Sequence, residues 1–86
     1  MKVRFHKRFV IEFERLDLKI QQAFEKRLQI FFTDPYDIKL NNHPLRGRWL
    51  HYRSINISGD FRAIYKEISD DEVLFATIGT HNQLYR

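Results

Sequence analysis

The second half of the chain carries side chains that can transfer protons and hold a phosphate group. His43 lies in an irregular stretch, and Arg62 begins a predicted strand. His81 follows a later strand, and Tyr85 stands close to the end of the chain. Histidine suits proton transfer because its unperturbed pKa is about 6.5, and arginine suits phosphate because its planar guanidinium stays protonated. Tyrosine can stack on a base or donate a proton.

These groups can cleave RNA without a metal ion. A base removes the proton of the 2′-hydroxyl, a cation stabilises the charged transition state, and an acid protonates the leaving 5′-oxygen. In an antiparallel meander the start of one strand lies beside the end of the next, so Arg62 and His81 are expected to be neighbours. The simpler alternatives are that His81 only caps a strand, that Arg62 pairs with Asp60 or Glu67, and that Tyr85 only anchors the tail.

Other kinds of chemistry have less support in the residue pattern. The histidines, at positions 6, 43, 51 and 81, do not have the close spacing typical of zinc ligands, and cysteine is absent. The three glycines are too far apart to form a phosphate-cradling loop. We therefore expect neither a metal nor a cofactor.

The middle of the chain is strongly basic. Residues 39–66 hold six Lys or Arg and one acid, a net charge of +5 against +4 for the whole chain. A basic surface of this kind suits a polyanion such as RNA or an acidic protein segment, although a solvated surface is the plain alternative. The candidate contacts to the RNA backbone are Arg46, Arg48, His51, Arg53 and Lys66.

The elements that must position these residues follow from hydrophobic periodicity. With 86 residues, the chain is expected to form one domain over residues 1–86. Alternation predicts a strand over residues 2–6, and helical spacing predicts an amphipathic helix over residues 7–16. A second helix is predicted to begin after Asp17 and to end before Pro35, which disfavours helical geometry in the preceding residue.

An irregular connection over residues 36–48 leads to three predicted strands, over residues 50–57, 61–68 and 73–78. The turns between them contain Gly59 and Asp70, residue types that favour chain reversal. The sequence thus predicts an α+β fold of order β-α-α-β-β-β. Two N-terminal helices should pack on one face of a small twisted antiparallel sheet, over Ile55 and Ile57, and leave the other face concave and partly polar.

The cellular location is also predicted from composition. The first residues, MKVRFHKRF, lack the apolar stretch of a signal peptide, and no apolar run in the sequence approaches membrane-spanning length. We therefore expect a soluble, cytoplasmic protein with no membrane partner.

Two stretches of the sequence resemble bacterial type II toxins of the RelE superfamily, most closely the YafQ-like and RelE/StbE-type branch. The stretches are LNNHPLRGRWLHYRSINISGDFRAIYKE and LFATIGTHNQLY. Their shared features are a His-Pro-Leu-x-Gly loop, a Tyr-Arg strand start, a Gly-Asp-x-Arg-x-Ile-Tyr strand and an Ile-Gly-Thr-His-x-x-Leu-Tyr ending. The match is close in the C-terminal half and extends to the helical half in pattern only.

The resemblance implies the same β-α-α-β-β-β fold and an mRNA interferase activity. Toxins of this superfamily mostly cleave mRNA in the ribosomal A site without a metal, and an antitoxin inhibits them by wrapping the basic surface. The YafQ-like pattern implies catalytic or substrate-binding histidines at His43 and His81, an acid at Asp60 and an aromatic residue at Tyr85. The RelE pattern adds a phosphate-binding arginine at Arg62.

The sequence departs from this pattern on one strand, and two other functions stay open. YafQ-like toxins have an acid and a histidine where this chain has Ser54 and Asn56, and RelE has two lysines on that strand face. One alternative is therefore an inactive member of the fold that only binds an antitoxin or a nucleic acid. The other is a toxin similar to the ParE branch, which poisons DNA gyrase.

Overall fold

The computed structural model describes residues 1–85 as one α+β unit. The strands are β1 (Lys2–Phe5), β2 (His43–Pro44), β3 (Arg53–Ser58), β4 (Phe61–Ser69) and β5 (Glu72–Thr80). The helices are α1 (Lys7–Glu14), α2 (Leu18–Thr33) and α3 (His81–Leu84), with single 3-10 turns at Ile38–Leu40 and Gly47–Trp49. No helix within the described residues is both long and apolar enough to cross a membrane.

The five strands form a single sheet in the order β1-β5-β4-β3-β2. Strands β3, β4 and β5 form the antiparallel meander that the sequence predicts, and β2 extends it antiparallel to β3. Strand β1 differs from the expected antiparallel sheet because it pairs with β5 in parallel, with Val3 opposite Val73. The sheet is therefore mixed. A parallel pair needs a long connection between its strands, and α1 and α2 provide it by carrying the chain across one face of the sheet.

The hydrophobic core lies between the sheet and the two long helices. Phe9 and Phe24 from the helices pack against Phe75 of β5, with ring centroids 5.8 and 5.6 Å from it. Ile55 and Ile57 are buried in the same cluster, so the prediction that they face the helices is confirmed. Aromatic rings at these separations gain both burial and edge-to-face contact, which makes this cluster the rigid support of the sheet.

The boundaries of α2 follow the predicted signals. Asp17 occupies the N-cap position, where its backbone carbonyl accepts hydrogen bonds from Ile20 and Gln21, although its side chain makes no capping bond. The helix ends at Thr33, two residues before Pro35. The carboxylate of Asp34 then accepts the backbone N–H of Tyr36 at 2.9 Å and turns the chain towards the sheet edge.

The predicted irregular connection is an ordered arm that joins the sheet. Asn41 has a left-handed backbone with φ of 46°, a conformation that asparagine adopts more readily than most residues. The chain then forms β2, in which His43 pairs with Ser54 and Pro44 pairs with Arg53. His43 was expected in a loop, but pairing with β3 places it at the edge of the sheet.

Candidate active site

A polar cavity of about 470 Å³ lies on the sheet face opposite the helices. Arg62 of β4 faces this cavity because side chains alternate along a strand. Ala63 and Tyr65 belong to the core, so Arg62 points to the other face of the sheet. The residues that line the cavity are Asn41, His43, Pro44, Leu45, Arg46, Arg62, His81 and Tyr85. The structure thus brings together four of the five predicted catalytic residues and one of the predicted RNA-binding residues.

The pairing of β4 with β5 brings Arg62 and His81 to the same end of the sheet. Phe61 pairs with Thr80 and Arg62 pairs with Gly79, so His81 follows the paired residues directly. The backbone N–H of His81 donates to the carbonyl of Asp60 at 3.0 Å, which ties the two strand ends together. His81 is two residues beyond Gly79, the partner of Arg62. Such diagonal neighbours lie about 7–8 Å apart, within reach of long side chains, so the register places Arg62 near His81.

The chain turns sharply after β5, so His81 begins a short helix instead of ending a strand. The hydroxyl of Thr80 accepts the N–H of Gln83 at 3.3 Å, and the side-chain oxygen of Gln83 accepts the N–H of Thr80 at 2.9 Å. This reciprocal capping box stabilises the first turn of α3. The rings of His81 and Tyr85 then stand one helical turn apart, with centroids at 4.6 Å, and both line the cavity.

Glycine at position 79 leaves room for the side chain of Gln83 in this turn. A Cβ atom at Gly79 would lie 2.8 Å from the side-chain oxygen of Gln83, closer than real Cβ contacts allow. The capping box of α3 therefore depends on the absence of a side chain at the end of β5.

One hydrogen bond defines the protonation of the neutral His43 ring. Its Nδ1 lies 2.8 Å from the backbone carbonyl oxygen of Asn41, and a carbonyl can only accept. Nδ1 therefore carries the hydrogen, and Nε2 is the nitrogen with the lone pair. In this tautomer the His43 ring can accept a proton through the lone pair of Nε2.

Arg62 is oriented by its own turn and is not part of an ion pair. Its Nη1 donates to the carbonyls of Gly59 at 2.9 Å and Phe61 at 3.2 Å. Within residues 1–85, no carboxylate forms a salt bridge with it, so the alternative of pairing with Asp60 or Glu67 is not observed. Its half-buried guanidinium keeps Nε and Nη2 for a bound anion.

The remaining predicted residues do not line the cavity. Asp60 is exposed in the turn between β3 and β4 and contributes its backbone carbonyl to His81. His51 is exposed with φ of 76° in the segment before β3. The guanidinium of Arg48 lies 5.6 Å from the ring centre of Trp49. None of these three side chains lines the cavity.

Arg53 and Lys66 are held away from the cavity by side-chain partners. Arg53 pairs with Tyr65, whose ring belongs to the core, so Arg53 lies on the helix side of the sheet. Its Nε donates to the side-chain oxygen of Asn42 at 2.7 Å. The amine of Lys66 lies 5.5 Å from the ring centre of Tyr52. Both were predicted to bind RNA, and the structure places neither with the lining residues.

Sequence reasoning missed two residues that position the lining groups. Asn42 makes three side-chain hydrogen bonds beneath His43, and an Asn-Asn pair before His-Pro was the available signal. The second residue is Trp49, whose indole N–H donates to the carbonyl of Leu84 at 3.1 Å. Trp49 therefore fastens the arm that carries Arg46 to the helix that carries His81.

The floor beside the cavity contains neutral polar groups without partners. Asn56 pairs with Arg62, and Ser54 pairs with His43 and Ile64, so both share the face of the cavity. Ser54 Oγ and Asn56 Oδ1 are buried and have no hydrogen-bond partner among the described residues. Neither group transfers protons near neutral pH, so acid–base chemistry here depends on the two histidines. Among residues 1–85 there is also no group of three or more His, Asp or Glu side chains that could hold a metal ion.

Known proteins match this chain in sequence family and in fold. The family model described as "Bacterial toxin of type II toxin-antitoxin system, YafQ" matches residues 1–86. No curated protein sequence matches the chain. Among solved structures, YafQ in the E. coli DinJ-YafQ complex is 24% identical with a TM-score of 0.72, and covers 99% of this chain and 98% of that chain.

Two further toxin structures share the fold. The YoeB/ParE toxin from Agrobacterium tumefaciens is 19% identical with a TM-score of 0.78, over 94% of this chain and 99% of that chain. The archaeal RelE-RelB complex from Pyrococcus horikoshii OT3 is 20% identical with a TM-score of 0.73, over 95% of this chain and 96% of that chain. These TM-scores show that the chain shares the α+β fold of these toxins, and the family model covers the whole sequence. The chain therefore belongs to the YafQ family of bacterial type II toxin-antitoxin toxins.

Proposed function

We propose that this toxin is a metal-independent endoribonuclease that cleaves mRNA on the ribosome. The observation that supports it is a single polar cavity lined by His43, Arg62, His81 and Tyr85. Two imidazoles, a guanidinium and a phenol are the groups that RNA transesterification needs for its base, acid, phosphate contact and stacking surface. The cavity volume of about 470 Å³ has room for one nucleotide with its phosphate.

The proposed reaction uses the two histidines in opposite protonation states. Nε2 of His43 accepts the proton of the 2′-hydroxyl while the 2′-oxygen forms a bond to the neighbouring phosphorus. The phosphorus–5′-oxygen bond breaks, and protonated His81 gives its proton to the leaving 5′-oxygen. The products are a 2′,3′-cyclic phosphate and a free 5′-hydroxyl, so no water or metal takes part in this step. Arg62 binds the non-bridging oxygens, whose negative charge increases in the transition state.

The cavity surroundings fit a nucleotide held by its ribosomal context. Tyr85 stacks on the base beside the scissile bond, and exposed Arg46 contacts a neighbouring phosphate. Arg48 and His51 are exposed and follow Arg46 closely in the sequence, and in this proposal they belong to the surface that faces ribosomal RNA. An enzyme with this substrate acts in the cytoplasm, so the proposal includes that location.

We also propose that a cognate antitoxin inhibits this protein. Antitoxin complexes are known for similar toxins, the E. coli DinJ-YafQ complex and the archaeal RelE-RelB complex. Residues 39–66 carry a net charge of +5 and contribute Arg46 and Arg62 to the cavity, which favours an acidic segment of such a partner. Occupation of the cavity mouth by this segment would exclude mRNA from the histidines.

Ser54 and Asn56 favour one second candidate, a toxin that binds RNA without cutting it. The YafQ-like pattern has an acid and a histidine at these positions. Here Ser54 Oγ and Asn56 Oδ1 are buried with no hydrogen-bond partner among residues 1–85. A protein of this kind would retain the Arg62 contact to phosphate and lose part of the proton transfer. Binding without cleavage would then be the observed behaviour.

The deciding experiment is cleavage of mRNA on purified ribosomes in the presence of EDTA, mapped by primer extension. We expect the wild-type protein to cut, and His81→Ala to reduce the rate by about 100-fold or more, as for loss of a general acid. Asn82→Ala is the matched control, because Asn82 is exposed on the same helix and does not line the cavity. Intact mRNA with the wild-type protein, or full activity of His81→Ala, would contradict the nuclease proposal.

A further inference from the structure

The side chain of Asn42, the residue before His43, makes hydrogen bonds to three separate parts of the fold. Its Nδ2 donates to the carbonyl of Pro35 at 2.8 Å and to the hydroxyl oxygen of Tyr65 at 2.7 Å. Its Oδ1 accepts Nε of Arg53 at 2.7 Å. An amide has two N–H donors, so both are used. Because arginine can only donate, Arg53 also determines which end of the amide is the oxygen.

The partners of Asn42 are themselves well fixed. Tyr65 is only 1% exposed, and its ring packs edge-on against Phe31 at 5.0 Å. Burial raises the pKa of Tyr65, so its hydroxyl stays uncharged, and the hydroxyl oxygen accepts from Asn42. The guanidinium of Arg53 stacks 5.3 Å from the ring centre of Tyr36. Asn42 is thus held by two strands of the sheet and by the turn after α2.

This network is connected to the ring of His43 through a single peptide group. The carbonyl of Asn41 that accepts Nδ1 of His43 belongs to the peptide bond between Asn41 and Asn42. A rotation of Asn42 would therefore rotate that carbonyl away from the imidazole. Asn41 has a left-handed backbone with φ of 46°. Because this allowed region is small, few other backbone conformations give the peptide group the same orientation.

We propose that Asn42 is a positioning residue that holds His43 with Nδ1 protonated and Nε2 available to the substrate. The inference rests on the proposed function, because the orientation of the His43 ring affects activity only if His43 takes part in RNA cleavage. It also assigns Arg53 a new role, in which Arg53 supports Asn42 from the helix side of the sheet instead of contacting RNA. Asn42 itself does not line the cavity and does not meet the substrate.

The sharpest perturbation is Asn42→Asp, which keeps the shape of the side chain and removes both donors. The carboxylate can still accept from Arg53, but the carbonyl of Pro35 loses its donor and now faces an acceptor. We expect kcat for mRNA cleavage to fall about 10- to 100-fold, as for a small misplacement of a catalytic group. KM should stay within about twofold, because Arg46 and Arg62 still bind the phosphates.

A spectroscopic measurement separates positioning from a general loss of structure. Long-range proton–nitrogen NMR at about pH 8.5, where histidine is neutral, reports which ring nitrogen of His43 carries the hydrogen. We expect Nδ1–H in the wild-type protein and a mixture with Nε2–H in Asn42→Asp. Tyr65→Phe removes one of the three hydrogen-bond partners of Asn42 and should give a smaller change of the His43 tautomer in the same direction. This second variant tests the inference if Asn42→Asp fails to fold.

The control is Val73→Ala, a buried substitution at the opposite end of β5 from His81. It lowers the free energy of unfolding through lost packing and should leave both the His43 tautomer and kcat unchanged. A wild-type Nδ1–H signal that persists in Asn42→Asp and in Tyr65→Phe would overturn the inference. A wild-type protein that cuts no mRNA would overturn the proposed function alone, since the NMR measurement tests the positioning independently.

Discussion

The replacement Gly79→Ala tests whether the end of β5 and the capping box of α3 form one structural unit. The new Cβ would lie 2.8 Å from the side-chain oxygen of Gln83, whereas its other neighbours, Gln83 Cβ and Leu84 Cδ2, lie at an ordinary 3.6 Å. The oxygen is the end of a flexible side chain, so Gln83 can swing away. In doing so it gives up its 2.9 Å hydrogen bond from the N–H of Thr80.

The expected cost is the value of that hydrogen bond, about 0.5–1.5 kcal/mol in the free energy of unfolding. In a Gln83→Ala background the obstructing oxygen is absent. Gly79→Ala should then cost about 0 kcal/mol, or stabilise slightly, because alanine restricts the unfolded chain more than glycine does. The two substitutions should therefore show a coupling energy of about 1 kcal/mol in a double-mutant cycle.

Urea unfolding of the four proteins, followed by the fluorescence of Trp49, measures this coupling. Trp49 is the single tryptophan and hydrogen-bonds to Leu84 at the end of α3, so its emission should report the position of the helix. Gly59→Ala serves as a contrast, because its φ of 52° strains any substitution although nothing lies within 4 Å. Equal costs of Gly79→Ala with and without Gln83 would refute the steric explanation.

Two further predictions concern stability. Glu12→Ala should lower the free energy of unfolding by about 1–3 kcal/mol in urea melts. Glu12 Oε1 accepts from the hydroxyl of Thr77 at 2.6 Å, and its removal leaves that buried hydroxyl without this acceptor. Glu12→Gln, which keeps an acceptor, should cost less, and equal losses would contradict this account. Burial raises the pKa of Tyr65 above its unfolded value, so its contribution to stability is complete below about pH 10 and is lost as pH rises further. Between about pH 9 and 11, the free energy of unfolding should therefore fall less in Tyr65→Phe than in the wild-type protein. Parallel curves of this free energy against pH would contradict the burial argument.

The helices, the meander and the meeting of Arg62 with His81 could be predicted from the sequence because they depend on local patterns. The apolar spacing of Phe24 and Phe31 identifies one face of a helix wherever it packs. The short turn at Asp70 forces antiparallel pairing of β4 with β5, so the start of β4 lies beside the end of β5. His43 was a candidate by residue type, but periodicity could not connect it to the others, and only the family pattern implied its role in the site.

Contacts between distant segments decided the rest. The parallel pairing of β1 with β5 requires a sheet edge that exists only after the meander has formed. Arg46 and Arg53 are equivalent in a count of charges, yet Arg46 lines the cavity and Arg53 is bound to Asn42 on the other side of the sheet. A sequence specifies which side chains carry charge, whereas the strand register determines which face they occupy and whether a partner already holds them.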